Sequence, residues 1–153
     1  MPVAWRLTKT KHLANAWDGA GARLAGGRWN SAGTPVVYAS ATLSLALVET
    51  LVHVASGILP AYTAIPFEFD AALVTRLEPR TLPPDWKANP APGSTRAIGE
   101  AWVDQARSVL LQVPSVVVPL ESNFLINPKH RDFGRISIGK PMPFPFDPRL
   151  PLP

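Results

Sequence analysis

Gly26-Gly27-Arg28-Trp29-Asn30 and Gly33-Thr34-Pro35-Val36-Val37-Tyr38-Ala39-Ser40, running on into a helical pattern that carries Glu49, form the stretch around which the chain is organised. The paired glycines permit a sharp turn or a close backbone approach to a ligand. Val36, Val37 and Ala39 read as a short buried strand after the Gly-Thr-Pro turn. Arg28, Tyr38 and Glu49 punctuate these elements with three different chemistries. A guanidinium suits a phosphate or carboxylate, and a phenol offers a flat face with one polar tip. A carboxylate beside apolar helix residues is costly unless partnered or used. This is not a Walker loop, because no Gly-Lys-Ser/Thr follows at the required spacing.

Outward from that stretch, Ser40 or Thr42 is placed to cap a helix running to about Ser56 and stopping at Gly57. Its expected inward stripe is Leu43, Leu47, Leu51 and Val54, with Ala46 and Thr50 alongside and Leu45, Glu49, Val52 and His53 on an adjoining face. A bland alternative for Glu49 is an i, i+4 pair with His53 on a solvated face. Upstream, Val3-Ala4-Trp5-Arg6-Leu7 reads as a strand with Arg6 opposite Trp5 and Leu7, aimed either at solvent or into a cleft. Residues 8–27 read as a glycine-marked loop.

Downstream, residues 62–69 and 72–77 are strand candidates, the first broken or placed at an edge by Pro66. Prolines at 79, 83, 84, 90 and 92 impose an irregular excursion. Residues 94–108 form a second helix with a Ser or Thr cap and Ile98, Ala101, Trp102 and Ala106 on one side. Residues 109–113 and 115–119 read as buried β-branched strands separated by Pro114. Ser122 and Asn123 follow where a sheet meets its loop, and capping a turn is their simple reading. Residues 135–138 are the expected last central strand. The tail, 141–153, holds six prolines and reads as extended, with Phe144 and Phe146 docked on the body. Short strands with two main helices, not in strict alternation, indicate an α+β fold.

The 153 residues suit a single domain over 1–153. With no cysteine, disulfides and thiolate metal sites are excluded, and His12, His53 and His130 are too scattered for a metal-ligand spacing. No apolar run approaches a membrane span or a signal h-region, so a cytoplasmic location is the expectation. A net charge of +4 favours anionic ligands. The basic residues are dispersed, however, and Lys129-His130-Arg131 is their nearest cluster, which argues against direct nucleic-acid binding.

The order Gly-Gly-Arg-Trp-Asn, Tyr-Ala-Ser, Ala-Leu-Val-Glu, Val-Pro-Ser-Val-Val-Val-Pro, Glu-Ser-Asn and Ile-Asn-Pro-Lys-His resembles the RES-domain family over essentially the whole chain. That resemblance implies an ADP-ribosyltransferase-like fold and a toxin of a bacterial toxin–antitoxin pair that degrades NAD⁺. It implies a partner antitoxin with an Xre-like helix-turn-helix domain that covers the active site, in complexes that extend to higher-order oligomers. The family's arginine falls on Arg28, its tyrosine on Tyr38, its glutamate on Glu49 and its serine on Ser122, all four expected at the catalytic site. Arg6 and Asn123 match further pattern positions and join Arg28, Tyr38 and Ser122 as expected substrate contacts.

The chemistry suits these groups. Nicotinamide leaves as a neutral molecule, so the reaction needs a carboxylate near the developing ribosyl cation rather than an acid on the leaving group. Glu49 is the candidate for that carboxylate, Arg28 with Arg6 would grip the pyrophosphate, and Tyr38 and Ser122 would orient the nicotinamide riboside end. No cofactor or metal is expected, NAD⁺ being the substrate and inorganic phosphate an optional co-substrate. Water, phosphate or a protein side chain remains open as acceptor, the last making the chain a protein-modifying ADP-ribosyltransferase. A non-catalytic nucleotide-binding module is the reading from another class.

Overall fold

The computed structural model describes residues 1–54 and 58–151. In chain order it contains β1 (Val3–Lys9), α1 (Ala20–Ala25), β2 (Val37–Ser40), α2 (Leu43–His53), β3 (Tyr62–Glu68), β4 (Val74–Arg76), α3 (Gly93–Gln105), β5 (Leu110–Pro114), β6 (Ser122–Ile126), β7 (Ser137–Ile138) and β8 (Met142–Phe144). The strands form one sheet in the order β4-β5-β6-β2-β1-β3-β7, with β8 also pairing β3. All pairings are antiparallel except β4 with β5. The architecture is α+β, as the residue pattern indicates.

One face of this sheet carries an apolar cluster that includes Val37, Phe67, Phe69, Leu110, Phe124 and Ile126. Phe69 meets Phe124 edge-on at 5.3 Å between centroids. Burial of each such ring is worth about 1.5–3 kcal/mol. The opposite face carries two clusters. Trp29, Leu111, Val113 and Leu125 gather around Trp102 of α3, whereas Leu7, Tyr62 and Ala64 gather around Ala46 of α2. Tyr38 and Ser40 of β2, with Asn123 and Leu125 of β6, share this second face, because Tyr38 pairs with Leu125 and Ser40 with Asn123.

Several local expectations are corrected. Residues 8–27 are not a plain loop. They hold a 3-10 turn, Thr10–Asn15, and the helix α1, whose ends are marked by Gly19 (φ 73°) and Gly26 (φ 72°). Asp18 Oδ1 accepts the Ala20 N–H at 2.9 Å and helps start α1. The glycines thus punctuate a helix. Pro66 neither breaks β3 nor puts it at an edge, since β3 pairs with β1 on one side and with β7 and β8 on the other. Pro66 sits between the β8-paired segment (Tyr62 to Ala64) and the β7-paired segment (Phe67, Glu68), where its carbonyl accepts the Gly139 N–H at 2.8 Å. A missing N–H costs little at such a hand-over.

Residues 115–119 form no strand despite their valines. Flanked by Pro114 and Pro119, they turn the chain so that the Ser115 N–H bonds the Glu121 carbonyl at 2.9 Å. The following segment, expected at the rim of the sheet, is instead β6, paired on both edges. Residues 135–138 give only β7, an edge strand. In α2 Ala46 is buried as expected beside the stripe, but the buried leucine is Leu45 of the adjoining face while Leu43, Leu47 and Leu51 are only partly buried, so Glu49, one turn beyond Leu45, is turned inward while Val52 and His53 are exposed. Thr42 caps this helix, accepting the Leu45 N–H at 3.1 Å. The helix ends at His53, with Val54 already extended (φ -75°, ψ 126°), short of the expected end near Ser56; Ser56 and Gly57 themselves lie outside the described residues. Helix α3 has Pro92 rather than a Ser or Thr at its N-cap, and buries Thr95, Gly99 and Trp102. The tail docks as expected, with Phe146 edge-on to Tyr62 at 5.1 Å. Among the described residues no helix is long and apolar enough to cross a membrane.

Candidate active site

A cleft of about 800 Å³ opens on the second face of the sheet, between β1, β2 and α2, with Gly21, Ala22 and Gly26 of the α1 region on its far side. It is lined by Arg6, Tyr38, Ser40, Glu49 and Asn123, together with Lys9, His12 and His53. A volume of this size accommodates a dinucleotide-sized ligand.

Glu49 enters from α2. Its Oε1 accepts two hydrogen bonds, from the Ser115 hydroxyl at 2.7 Å and from Asn123 Nδ2 at 2.9 Å. Asn123 is fixed in turn by Ser40, whose hydroxyl donates to Asn123 Oδ1 at 2.7 Å. Oε2 accepts no hydrogen bond among the described residues, and no buried side-chain oxygen or nitrogen there lacks a partner, so Oε2 is open to the cleft. The result is a carboxylate locked at one oxygen and free at the other. The Glu49–His53 pair on a solvated face is not formed: among the described residues neither ion pairs nor hydrogen bonds join them.

Arg6 occupies the fork between two strands. β1 follows β3 along its whole length but pairs with β2 at Trp5 and Ser40. Beyond that point the Arg6 guanidinium takes up backbone carbonyls, donating from Nε to Ala16 at 3.2 Å and from Nη1 to Tyr38 at 3.1 Å. It has no carboxylate within salt-bridge distance among the described residues. Burial lowers its pKa from the ordinary arginine value to about 10, partly opposed by the charge of Asp18. A cation held this way in the lining of the cleft favours an anion.

Tyr38 stands on the cleft wall with its ring against the cluster around Trp102. Its hydroxyl donates to Asn30 Oδ1 at 2.6 Å and accepts the Trp29 N–H at 3.2 Å. Burial moves the phenol well above its ordinary value, so it stays protonated.

Arg28 and Ser122 stand apart from this group. Arg28 Nη1 donates to the carbonyls of Trp86 at 3.0 Å and Ala88 at 2.8 Å, tying down the proline-rich excursion, and the side chain does not line the cleft. Burial lowers its pKa, and it is close enough to Glu49 for that residue's charge to oppose the lowering. Ser122 alternates with Asn123 along β6 onto the opposite face, where its hydroxyl accepts from Gln112 Nε2 at 3.0 Å. The structure therefore brings Arg6, Tyr38, Glu49 and Asn123 together, sets Arg28 behind them, and leaves Ser122 outside.

A family model described as RES domain matches residues 3–147. The chain belongs to the RES domain family. It is 39% identical over 150 residues to Toxin Res of Yersinia enterocolitica, covering 97% of this chain and 99% of that protein. Over 152 residues it is 40% identical to a Sphingobium protein named Prs ADP-ribosylating toxin, covering 95% of this chain and 94% of the relative. Among solved structures, the fold is similar to that in the Mycobacterium tuberculosis MbcT–MbcA toxin–antitoxin complex, with a TM-score of 0.75 and 20% identity over 93% of this chain and 83% of that chain.

In this RES domain the residues that hold the site together are those that strand patterns conceal. Ser115 is fully buried and hides in a valine run, its one legible signal being a hydroxyl where every neighbour is apolar. Ser40 reads as a helix cap from its position before Thr42, yet it is the residue that orients Asn123. Asn30 closes the Gly-Gly-Arg-Trp-Asn motif, and its buried side chain reaches Tyr38.

Proposed function

We propose that this chain is the toxin of a toxin–antitoxin pair and degrades NAD⁺ by breaking the bond between nicotinamide and ribose. The observation that carries this reading is the Glu49 carboxylate, fixed at Oε1 by Ser115 and Asn123 and open at Oε2 to a cleft with the Arg6 cation in its wall. When the C1′–N bond breaks, its electron pair goes to the nicotinamide nitrogen and neutralises the pyridinium. Positive charge then develops on the ribose. A preorganised carboxylate oxygen facing C1′ and its hydroxyls stabilises that charge more than it does the ground state. Water adds at C1′ and loses a proton, giving ADP-ribose; inorganic phosphate as acceptor gives the 1″-phosphorylated product.

Arg6 supplies the charge that receives the pyrophosphate, with Arg28 adding to the positive field from behind. The Tyr38 ring forms the wall for the nicotinamide riboside end. Asn123 acts through Glu49, since both ends of its amide are engaged within the protein. Because the reaction consumes NAD⁺ in its own cytoplasm, the cleft must be covered until it is wanted, and an antitoxin with a helix-turn-helix domain is the proposed cover.

A second reading, transfer of ADP-ribose to a protein side chain, is favoured by one observation, the printed name of the Sphingobium relative at 40% identity. The experiment that separates them incubates the purified chain with NAD⁺ labelled in the ADP-ribose half, with and without phosphate and with and without a cell extract. Free labelled ADP-ribose or its phosphate supports NAD⁺ degradation. Label retained on protein supports transfer. Intact NAD⁺ under all conditions, while expression of the chain still arrests growth, would overturn both.

A further inference from the structure

Asn30 is fully buried behind the cleft wall, and both ends of its amide are committed. Nδ2 donates to the carbonyls of Ala22 at 2.9 Å, Ser31 at 3.2 Å and Thr34 at 3.1 Å, while Oδ1 accepts the Tyr38 hydroxyl at 2.6 Å. The same phenol oxygen accepts the Trp29 N–H at 3.2 Å. A phenol has one proton to give, and here it goes to Asn30. Gly27 packs so closely on this link that a Cβ there would lie 2.7 Å from the phenol oxygen and 3.0 Å from Asn30 Oδ1.

The loop is also held from behind by α3. Thr95 donates to the Arg28 carbonyl at 2.7 Å, and Glu100 accepts the Ser31 N–H at 2.6 Å and the Thr34 hydroxyl at 2.7 Å. A Cβ on Gly99 would collide with the Trp29 carbonyl. The loop carrying Arg28 is therefore clamped between a helix and the cleft wall, and Asn30 with Tyr38 is the clamp on the cleft side.

We propose that Asn30 is a positioning residue for the cleft, and that the Tyr38 hydroxyl pins Asn30 to the Arg28–Trp29 backbone instead of passing a proton to or from the substrate. Tyr38 meets the ligand through its ring alone. For the identity of the substrate this rests on the NAD⁺-degrading reading; the pin itself rests on the hydrogen bonds.

The test is a double-mutant cycle, because two residues that act through one link lose it only once. Tyr38→Phe and Asn30→Ala are each expected to lower kcat/KM for NAD⁺ about tenfold or more, the scale on which small misplacements act. The double variant is expected within about threefold of the weaker single variant, and the pH profile of kcat in Tyr38→Phe is expected to keep the parental shape. Losses that multiply, or a pH limb that vanishes with the hydroxyl, would overturn the proposal. If Asn30→Ala does not fold, Gly27→Ala decides, since it presses on the phenol oxygen from the other side. Its loss is expected to shrink in the Tyr38→Phe background, and an undiminished loss counts against the pin. Each cycle is read both as NAD⁺ consumption and as the expression level that arrests growth. Arrest without NAD⁺ consumption would sink the substrate reading, while the second readout still judges the pin.

Discussion

Ser115 donates its hydroxyl proton to Glu49 Oε1 at 2.7 Å, joining the turn after β5 to the middle of α2. The same oxygen of Ser115 accepts the Val118 N–H at 3.0 Å, so the turn itself sets the direction of the donor. Ser115→Ala removes one of the two bonds that hold the carboxylate. Turnover of NAD⁺ is expected to fall about tenfold, on the scale of losing one charge-assisted hydrogen bond of ~1.5 kcal/mol, with a fold loosened by about 1 kcal/mol. Ser122→Ala, on the opposite face, is expected to stay within about twofold of the parent, the usual effect of a change remote from the site. Steady-state kinetics and thermal unfolding of both variants check the pair. A larger loss at Ser122 than at Ser115 would reverse the assignment.

A pH prediction follows from Arg6. Its pKa, lowered by burial to about 10, lies below the ordinary arginine value that the unfolded chain keeps. Between those values the unfolded chain holds more protons than the folded one, so this group's contribution to stability rises with pH there. Below about 10 both states are charged, and burying the cation is a constant cost. Arg6 thus remains a cation throughout pH 6–9, and its part in NAD⁺ binding is expected to be flat over that range and lost as pH passes about 10. KM measured from pH 6 to 10.5 in the parent and in Arg6→Gln tests this. The variant is expected to show a KM raised about tenfold and no further rise at high pH; an identical high-pH rise in the variant would assign it to another group.

How much of this was legible beforehand depended on what each residue answers to. Glycine turns, the Thr42 cap and the apolar strand ending at Tyr38 are local signals, and they placed the central elements. The inward turn of Glu49 was not readable from α2 alone, because Leu45 and Leu47 are equally apolar and only the docking surface decides which is buried. The valines of 116–118 carry a strand preference that two flanking prolines and the Ser115–Glu121 bond override. That strand preference hides Ser115, whereas Ser122 enters through the family resemblance, which carries no information on which face of β6 its side chain takes. Arg28 was legible as a cation near the site, but its carbonyl partners at Trp86 and Ala88 come from residues roughly sixty positions away and have no local signature.

Those carbonyl partners give Arg28 two separable duties. Arg28→Lys keeps the charge but cannot spread planar donors between two backbone carbonyls and the cleft field. Cleavage by a protease within residues 83–92 is expected to quicken because the excursion loses its anchor, and NAD⁺ affinity is expected to fall only as far as the loop carrying residue 28 shifts its charge away from the cleft. Both are measured on one preparation, by equilibrium binding and by timed proteolysis. Faster proteolysis with unchanged affinity would confine Arg28 to holding the loop and leave the pyrophosphate to Arg6.

Glu49→Gln separates charge from shape. The amide is isosteric, and its oxygen still accepts from Ser115 and Asn123 at Oε1, so helix α2 keeps its seat on the sheet. What changes is the atom at Oε2, where a neutral amino group replaces a negative oxygen at the open side of the cleft. If ribosyl charge develops against that atom, turnover is expected to drop ~10²-fold or more, as on removing one preorganised electrostatic group. Affinity for NAD⁺ and the unfolding temperature should change little. The decisive comparison also includes Glu49→Ala, which leaves both donors unpaired and is expected to lose stability as well as turnover. A Glu49→Gln protein that consumes NAD⁺ at the parental rate would remove Glu49 from the chemistry and reduce the Ser115–Asn123 cradle to a helix anchor.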